Sequence, residues 1–61
     1  MVQYIIHIWD DKNRKWKTAS TKKTHWAALK LAEKYRLSGG APEIMITKVL
    51  KNGKVVDAYP V

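Results

Sequence analysis

The chain has no cysteine. That absence excludes disulfides and thiolate metal sites as staples, and it fits either a reducing compartment or a protein that simply avoids thiols. Glycine and proline are also scarce, three and two residues among 61, and no low-complexity run occurs, so the composition is that of a folded domain. Acidic residues number only 5 against 12 Lys and Arg, which leaves a net charge of +7 with no acidic tail to offset it. No apolar stretch approaches the roughly 20 residues that a bilayer-spanning helix requires. The chain opens directly on a strand-like run, Val2 to Trp9, without the basic segment and apolar core of an export signal. A cytoplasmic location is expected, that of the host cell if the protein is viral.

At this length one domain is expected, and such a domain buries only about 60% of the surface its unfolded chain exposes. Its first segment, VQYIIHIW, alternates Val2, Tyr4, Ile6 and Ile8 against Gln3, Ile5, His7 and Trp9, which predicts a strand. After the polar run Asp10 to Lys15 a second alternating segment continues to Thr21, so residues 2–21 read as a hairpin. Asp10 and Asp11 are suited to open a type I turn, and Asn13 to take the left-handed position of a bulge, with residues 10 and 14 closing the loop. This register sets Trp16, Thr18 and Ser20 beside Tyr4, Ile6 and Ile8, and Lys15, Lys17 and Ala19 beside Ile5, His7 and Trp9. A loop of two or four residues would bring Trp16 next to Trp9 instead, because a one-residue slip turns every side chain over.

From residue 22 to 37 the period changes to that of a helix, with Ser20, Thr21 or Thr24 as N-cap and Gly39 and Gly40 as a stop. Ala28, Leu31, Ala32 and Tyr35 form its apolar stripe. Trp26 falls roughly 160° from Ala28 at about 100° per residue, beside Lys22, Lys30 and Glu33, and is expected to be exposed. Residues 38–42 are a loop, and residues 43–59 a second hairpin turning at Asn52-Gly53. A two-residue turn there pairs Lys48 with Asp57 and Val49 with Val56, whereas a bulged three-residue turn pairs Thr47 with Asp57 and Val49 with Val55. Two hairpins around one helix predict an α+β fold of order ββαββ, a four-stranded antiparallel sheet with the helix packed on one face.

The single helix cannot cover both faces of that sheet. Ile5 and Trp9 are expected on the uncovered face, together with either Ile44, Ile46, Leu50, Val55 and Tyr59 or Met45, Val49, Val55 and Tyr59. Ile5, Ile44, Ile46 and Tyr59 are therefore candidate interface residues for a homodimer or an acidic protein partner.

No catalytic constellation is present: no nucleophile elbow, no phosphate-binding loop, no dinucleotide fingerprint. Nor is there room for a pocket that would enclose a small-molecule substrate. The two histidines, His7 and His25, lack ligand-spaced partners, so neither a metal nor another cofactor is expected. His7 reads as a strand surface residue, and His25, near a helix N-terminus, as a neutral hydrogen-bonding group. The helical stripe is rich in alanine and short of large side chains, which favours packing on the sheet over lying on a membrane.

Aromatic and basic residues interleave through the first half of the chain. Trp9, Lys12, Arg14, Lys15, Lys17, Lys22, Lys23, Trp26 and Lys30 are the candidate nucleic-acid contacts, with Trp16 assigned to the core. Lysines in such a pattern meet phosphates and tryptophans stack on bases or wedge between them. A non-enzymatic, largely sequence-independent binder of duplex DNA is the expected function.

Four features carry a family resemblance between Ile8 and Tyr59. They are the Asp-rich turn Asp10 to Asn13, a basic stretch leading into Ala27-Ala28-Leu29-Lys30, a Gly-containing loop ending at Pro42, and the strand start Glu43-Ile44. In these the chain resembles the small archaeal methanogen chromosomal proteins, and the resemblance implies a ββαββ-type fold that binds and bends duplex DNA. That family carries a further basic, Trp- and Pro-containing region after the point matching Val61, so only the hairpin and helix lysines carry over. The chain is also similar to short, cysteine-free phage and mobile-element proteins built from two hairpins around a helix. Those include inhibitors of host defence enzymes, which implies a protein partner instead.

Overall fold

The computed structural model of the chain describes residues 2–38 and 43–61. Its elements are β1 (Gln3–Asp10), β2 (Lys15–Lys22), α1 (His25–Leu37), β3 (Ile44–Val49) and β4 (Val55–Pro60). The strands form one antiparallel sheet in the order β2-β1-β3-β4, and α1 lies on one side of it across β2, β1 and β3. This is the α+β, ββαββ architecture expected from the sequence. Among the described residues no helix is long and apolar enough to cross a membrane.

The helix begins at His25 rather than at residue 22, because β2 continues through Lys22 and Thr24 is the capping residue. The Ala27 N–H donates to Thr24 Oγ1 at 3.1 Å, which satisfies one of the helix's unpaired first-turn donors. At the other end the Ser38 N–H donates to the Lys34 carbonyl at 3.0 Å and its hydroxyl to the Tyr35 carbonyl at 2.9 Å. The stop expected at Gly39 and Gly40, like Ala41 and Pro42 of the predicted loop, lies outside the described residues.

The core sits between α1 and the two central strands. Ile6 of β1 and Ile46 of β3 are fully buried, and Ile44 nearly so, beneath Ala28 and Ala32 of the helix. The two alanines present no bulk, which lets the helix backbone come down close on the isoleucines. Each fully buried isoleucine stabilises the fold by about 1.5–3 kcal/mol. Tyr4, Ile8, Leu29, Leu31, Tyr35 and Tyr59 pack around this centre. The His25 ring lies between two of them, with centroids 5.6 Å from Tyr4 and 4.6 Å from Tyr59.

Both hairpins differ from the expected registers, and the first difference moves functional groups. In β1–β2, Asp10 pairs with Lys15, which leaves Asp11 to Arg14 as a four-residue loop, and Trp9 pairs with Trp16. The left-handed position is taken by Arg14, at φ 53°, and not by Asn13. Asn13 is used otherwise: its side-chain amide donates to Asp10 Oδ2 at 2.7 Å, while the Lys12 and Asn13 N–H groups donate to Asp10 Oδ1 at 3.1 and 3.3 Å. Asp10 thus closes the loop on three donors, an Asx-type turn.

Further along β2 the register shifts between Ile6 and His7: His7 pairs with Thr18 but Ile6 with Ser20, so Ala19 is an extra, bulged residue. Ser20 stays on the helix side as expected, whereas Trp16 and Thr18 are turned to the opposite side. In β3–β4 the two candidate registers both occur, in succession. Lys48 pairs with Asp57, then Val56 bulges and Val49 pairs with Val55. The loop Lys51 to Gly53 closes with the Gly53 N–H donating to the Leu50 carbonyl at 2.9 Å and Gly53 at φ 86°. That is a type I turn followed by a glycine bulge.

Candidate nucleic-acid interface

Strand alternation and the pairing to Ile8 assign the β2 lysines to a side of the sheet. Ile8 packs against the core, Lys17 stands opposite it, and Lys15 and Lys22 share that parity through Asp10 and Tyr4. All three lysines of β2 are therefore on the helix side. The sequence register had placed Lys15 and Lys17 with Trp9 on the open side; the four-residue loop separates them. Trp16, expected in the core beneath the helix, is 40% exposed on the open side. There it meets Trp9 edge to face, with ring centroids 5.4 Å apart at 69°.

The helix completes the basic surface. Lys22 at the end of β2 and Trp26, Lys30 and Lys34 of α1 border a shallow groove of about 260 Å³ floored by Ala27 and Leu31. Trp26 is 69% exposed, as its helical phase required, and Lys30 Nζ lies 5.3 Å from its ring centroid. No acidic residue occupies the first turn of α1, so the positive end of its dipole adds to the lysines. Lys12 and Arg14 in the hairpin loop and Lys23 between β2 and α1 are exposed but stand outside this groove. Lys34 also borders the groove, although the sequence did not single it out. Its position eight residues after Trp26 and four after Lys30 puts it on the same helical face, and that spacing was legible.

Among the described residues a single ion pair forms, Lys17 Nζ to Asp10 Oδ2 at 2.9 Å. With the Asn13 amide as the larger contributor and the Lys17 ammonium next, the Asp10 carboxyl is held down to about 2. Lys17 is thereby committed to the turn, and the remaining basic side chains are not neutralised within the fold.

The interface candidates fall on both sides. Ile5 is half-buried on the open side, but Ile44 and Ile46 lie under the helix and are core residues. Tyr59 also faces the helix, packs on His25 and donates its hydroxyl to Asp57 Oδ2 at 2.9 Å, a bond that pushes its own pKa up. The open side carries Ile5, His7, Trp9, Trp16, Met45, Thr47, Val49 and Val55 instead. His7 Nε2 and Thr47 Oγ1 are 2.8 Å apart on that side, and partial burial lowers the imidazole pKa. Among the described residues no three His, Asp or Glu side chains converge as a metal site would require. The chain matches no family model, and no curated protein or solved structure is significantly similar to it.

Proposed function

We propose that this protein is a small non-enzymatic nucleic-acid-binding protein that contacts phosphates without reading base sequence, through the lysines on the helix side of its sheet. The observation that carries the reading is the groove bordered by Lys22, Lys30 and Lys34 with Trp26 standing 69% exposed beside it. Surface lysines alone would only keep a small domain soluble. That bland account leaves an outward tryptophan within a lysine cluster unexplained, whereas aromatic surface set among positive charges is what nucleic acid recognition uses. Lys15, Lys22, Lys30 and Lys34 supply the principal phosphate contacts, with Lys12, Arg14 and Lys23 extending the positive field at its ends. Lys17 contributes less, because a phosphate must compete with Asp10 for it.

Binding to DNA and RNA measured against salt tests this reading. Four phosphate contacts give a slope of log K on log salt of roughly −3 to −4, about 0.9 per contact. Failure to bind either nucleic acid at low salt would overturn it.

A second reading is favoured by the apolar groups left on the open side, where Trp16 is 40% and Val55 57% exposed. Those residues suit contact with an apolar protein surface such as that of a second copy. A strict monomer in sedimentation, unchanged over a wide concentration range, would remove the second copy.

A further inference from the structure

Resting on the nucleic-acid reading above, we infer that the groove between α1 and the end of β2 takes an unpaired base, with Trp26 as its stacking platform, so that the preferred ligand is a single strand. Trp26 is the second residue of α1 and has no part in the core. Lys30, one helical turn on, holds its ammonium 5.3 Å from the indole centroid, and 69% of Trp26 is exposed. The groove beside it has an apolar floor, Ala27 and Leu31, and ammonium groups on its borders. Its volume, about 260 Å³, leaves room to admit one flat heterocycle. An apolar floor suits a base and a charged border suits the phosphates on either side of it.

A duplex offers such a site little. Its base faces are covered by stacking, and only phosphates and groove edges are accessible. An indole could reach a base face there only by prying a step apart. A single strand exposes its base faces without that cost, and every base has one, so the stack is indifferent to sequence. The helical spacing agrees: Trp26, Lys30 and Lys34 stand at successive turns, each about 6 Å further along the axis. Stacked nucleotides advance about 3.4 Å per phosphate and extended ones further, so Lys30 meets a phosphate about one or two nucleotides from the stacked base and Lys34 one about two to four away. Where the family resemblance implied duplex DNA, the exposed indole in its lysine-bordered groove points to unpaired nucleotides.

Fluorescence anisotropy with a short labelled DNA strand, the same strand annealed to its complement, and the same strand carrying abasic sites tests the inference at one fixed low salt. The expected result is about tenfold tighter binding to the intact single strand than to the duplex. Trp26→Ala should remove about tenfold from single-strand binding, the abasic strand should bind the unaltered protein about as weakly, and duplex binding should change little. Trp26→Phe should retain most of the affinity, and the salt slope of Trp26→Ala should be unchanged, since no phosphate contact is lost. Because Trp26 is exposed, its variants should melt with the parent, which circular dichroism checks. Equal or tighter binding to the duplex, with Trp26→Ala silent on the single strand, would overturn this inference while leaving the nucleic-acid reading intact. Binding to none of the three would overturn both.

Discussion

The helix side and the open side of the sheet divide the chain's two most prominent residue types between them. Lys15, Lys22, Lys30 and Lys34 gather on the helix side, with Trp26 as the one aromatic group turned outward there. On the open side Trp9 and Trp16 pack on each other, next to Ile5, Met45, Val49 and Val55. Composition does not produce this division. It follows from the helical phase that sets Trp26, Lys30 and Lys34 together and, in β2, from two backbone features of one hairpin, a loop one residue longer than expected and a bulge at Ala19. The longer loop turns Trp16 and Lys15 over near the tip, and the bulge restores the parity at Ser20, which returns Lys22 to the helix side. A basic surface and an aromatic one are thus built from residues adjacent in sequence, and they differ in what they can bind.

The comparison breaks most decisively through charge. Reversing Lys22, Lys30 and Lys34 together to glutamate should weaken nucleic-acid binding by on the order of a hundredfold or more, and lower the salt slope by about two to three. Reversing Lys51 and Lys54, exposed at the far hairpin loop, should cost much less. Equal losses from the two variants would mean that net charge and not placement carries the binding. Next in size is Trp9→Ala, which removes one ring and with it the whole Trp9–Trp16 contact. It should cost about 2 kcal/mol, below the full value for a core tryptophan because the pair is partly exposed, and leave binding nearly unchanged. Urea unfolding together with a binding titration separates the two effects.

The two hairpin loops provide a finer contrast, since each holds one residue at positive φ, Arg14 at 53° and Gly53 at 86°. Gly53→Ala should destabilise by about 1 kcal/mol from backbone conformation alone, since an added Cβ meets nothing within 4 Å. Arg14→Gly should relieve the same kind of strain and raise stability by less than about 1 kcal/mol, seen as a slightly higher urea midpoint, because glycine also gains freedom in the unfolded chain. It should at the same time weaken nucleic-acid binding a little through the lost charge. A fall in stability on Arg14→Gly would show that the Arg14 side chain holds the loop.

The smallest expected effect is that of pH. Burial places the His7 pKa below its usual 6.5, so its contribution is present above that value and is lost as pH falls through it toward the lower folded pKa. Asp10, held at about 2 against a usual 3.8, contributes stability that is present above 3.8 and is lost as pH falls through about 2. Urea midpoints followed downward from neutral pH should decline in two steps. His7→Gln should abolish the upper step alone, and an unchanged upper step would reassign it.

Much of the fold was legible because it depends on period. The alternation in β1, the alanine-rich stripe of α1 and the Asn52-Gly53 turn each fix an element from local residues. The outward position of Trp26 was legible for the same reason, since helical phase does not depend on partners. Lys34 was equally readable from its spacing. Trp16, Lys15 and Lys17 were not, because their side of the sheet depends on a single residue of loop length. Asn13 looked like the natural left-handed residue, but the Asp10 carboxylate offered its amide a better partner, and Arg14 took the strain. Ile44 and Ile46 could be placed only once β3 was known to lie beside β1 at the centre of the sheet, where Ile46 faces Ile6. Bulges at Ala19 and Val56 leave no local signature in these sequences, and they decide which side chains share a surface.

The division between the two sides is tested most directly by following the backbone amide resonances while a short DNA strand is added at low salt. The largest shifts are expected at Lys22, Trp26, Lys30 and Lys34, smaller ones at Lys15, and little change at Ile5, Met45 and Thr47. Shifts confined to the open side, centred on Trp9 and Trp16, would contradict it.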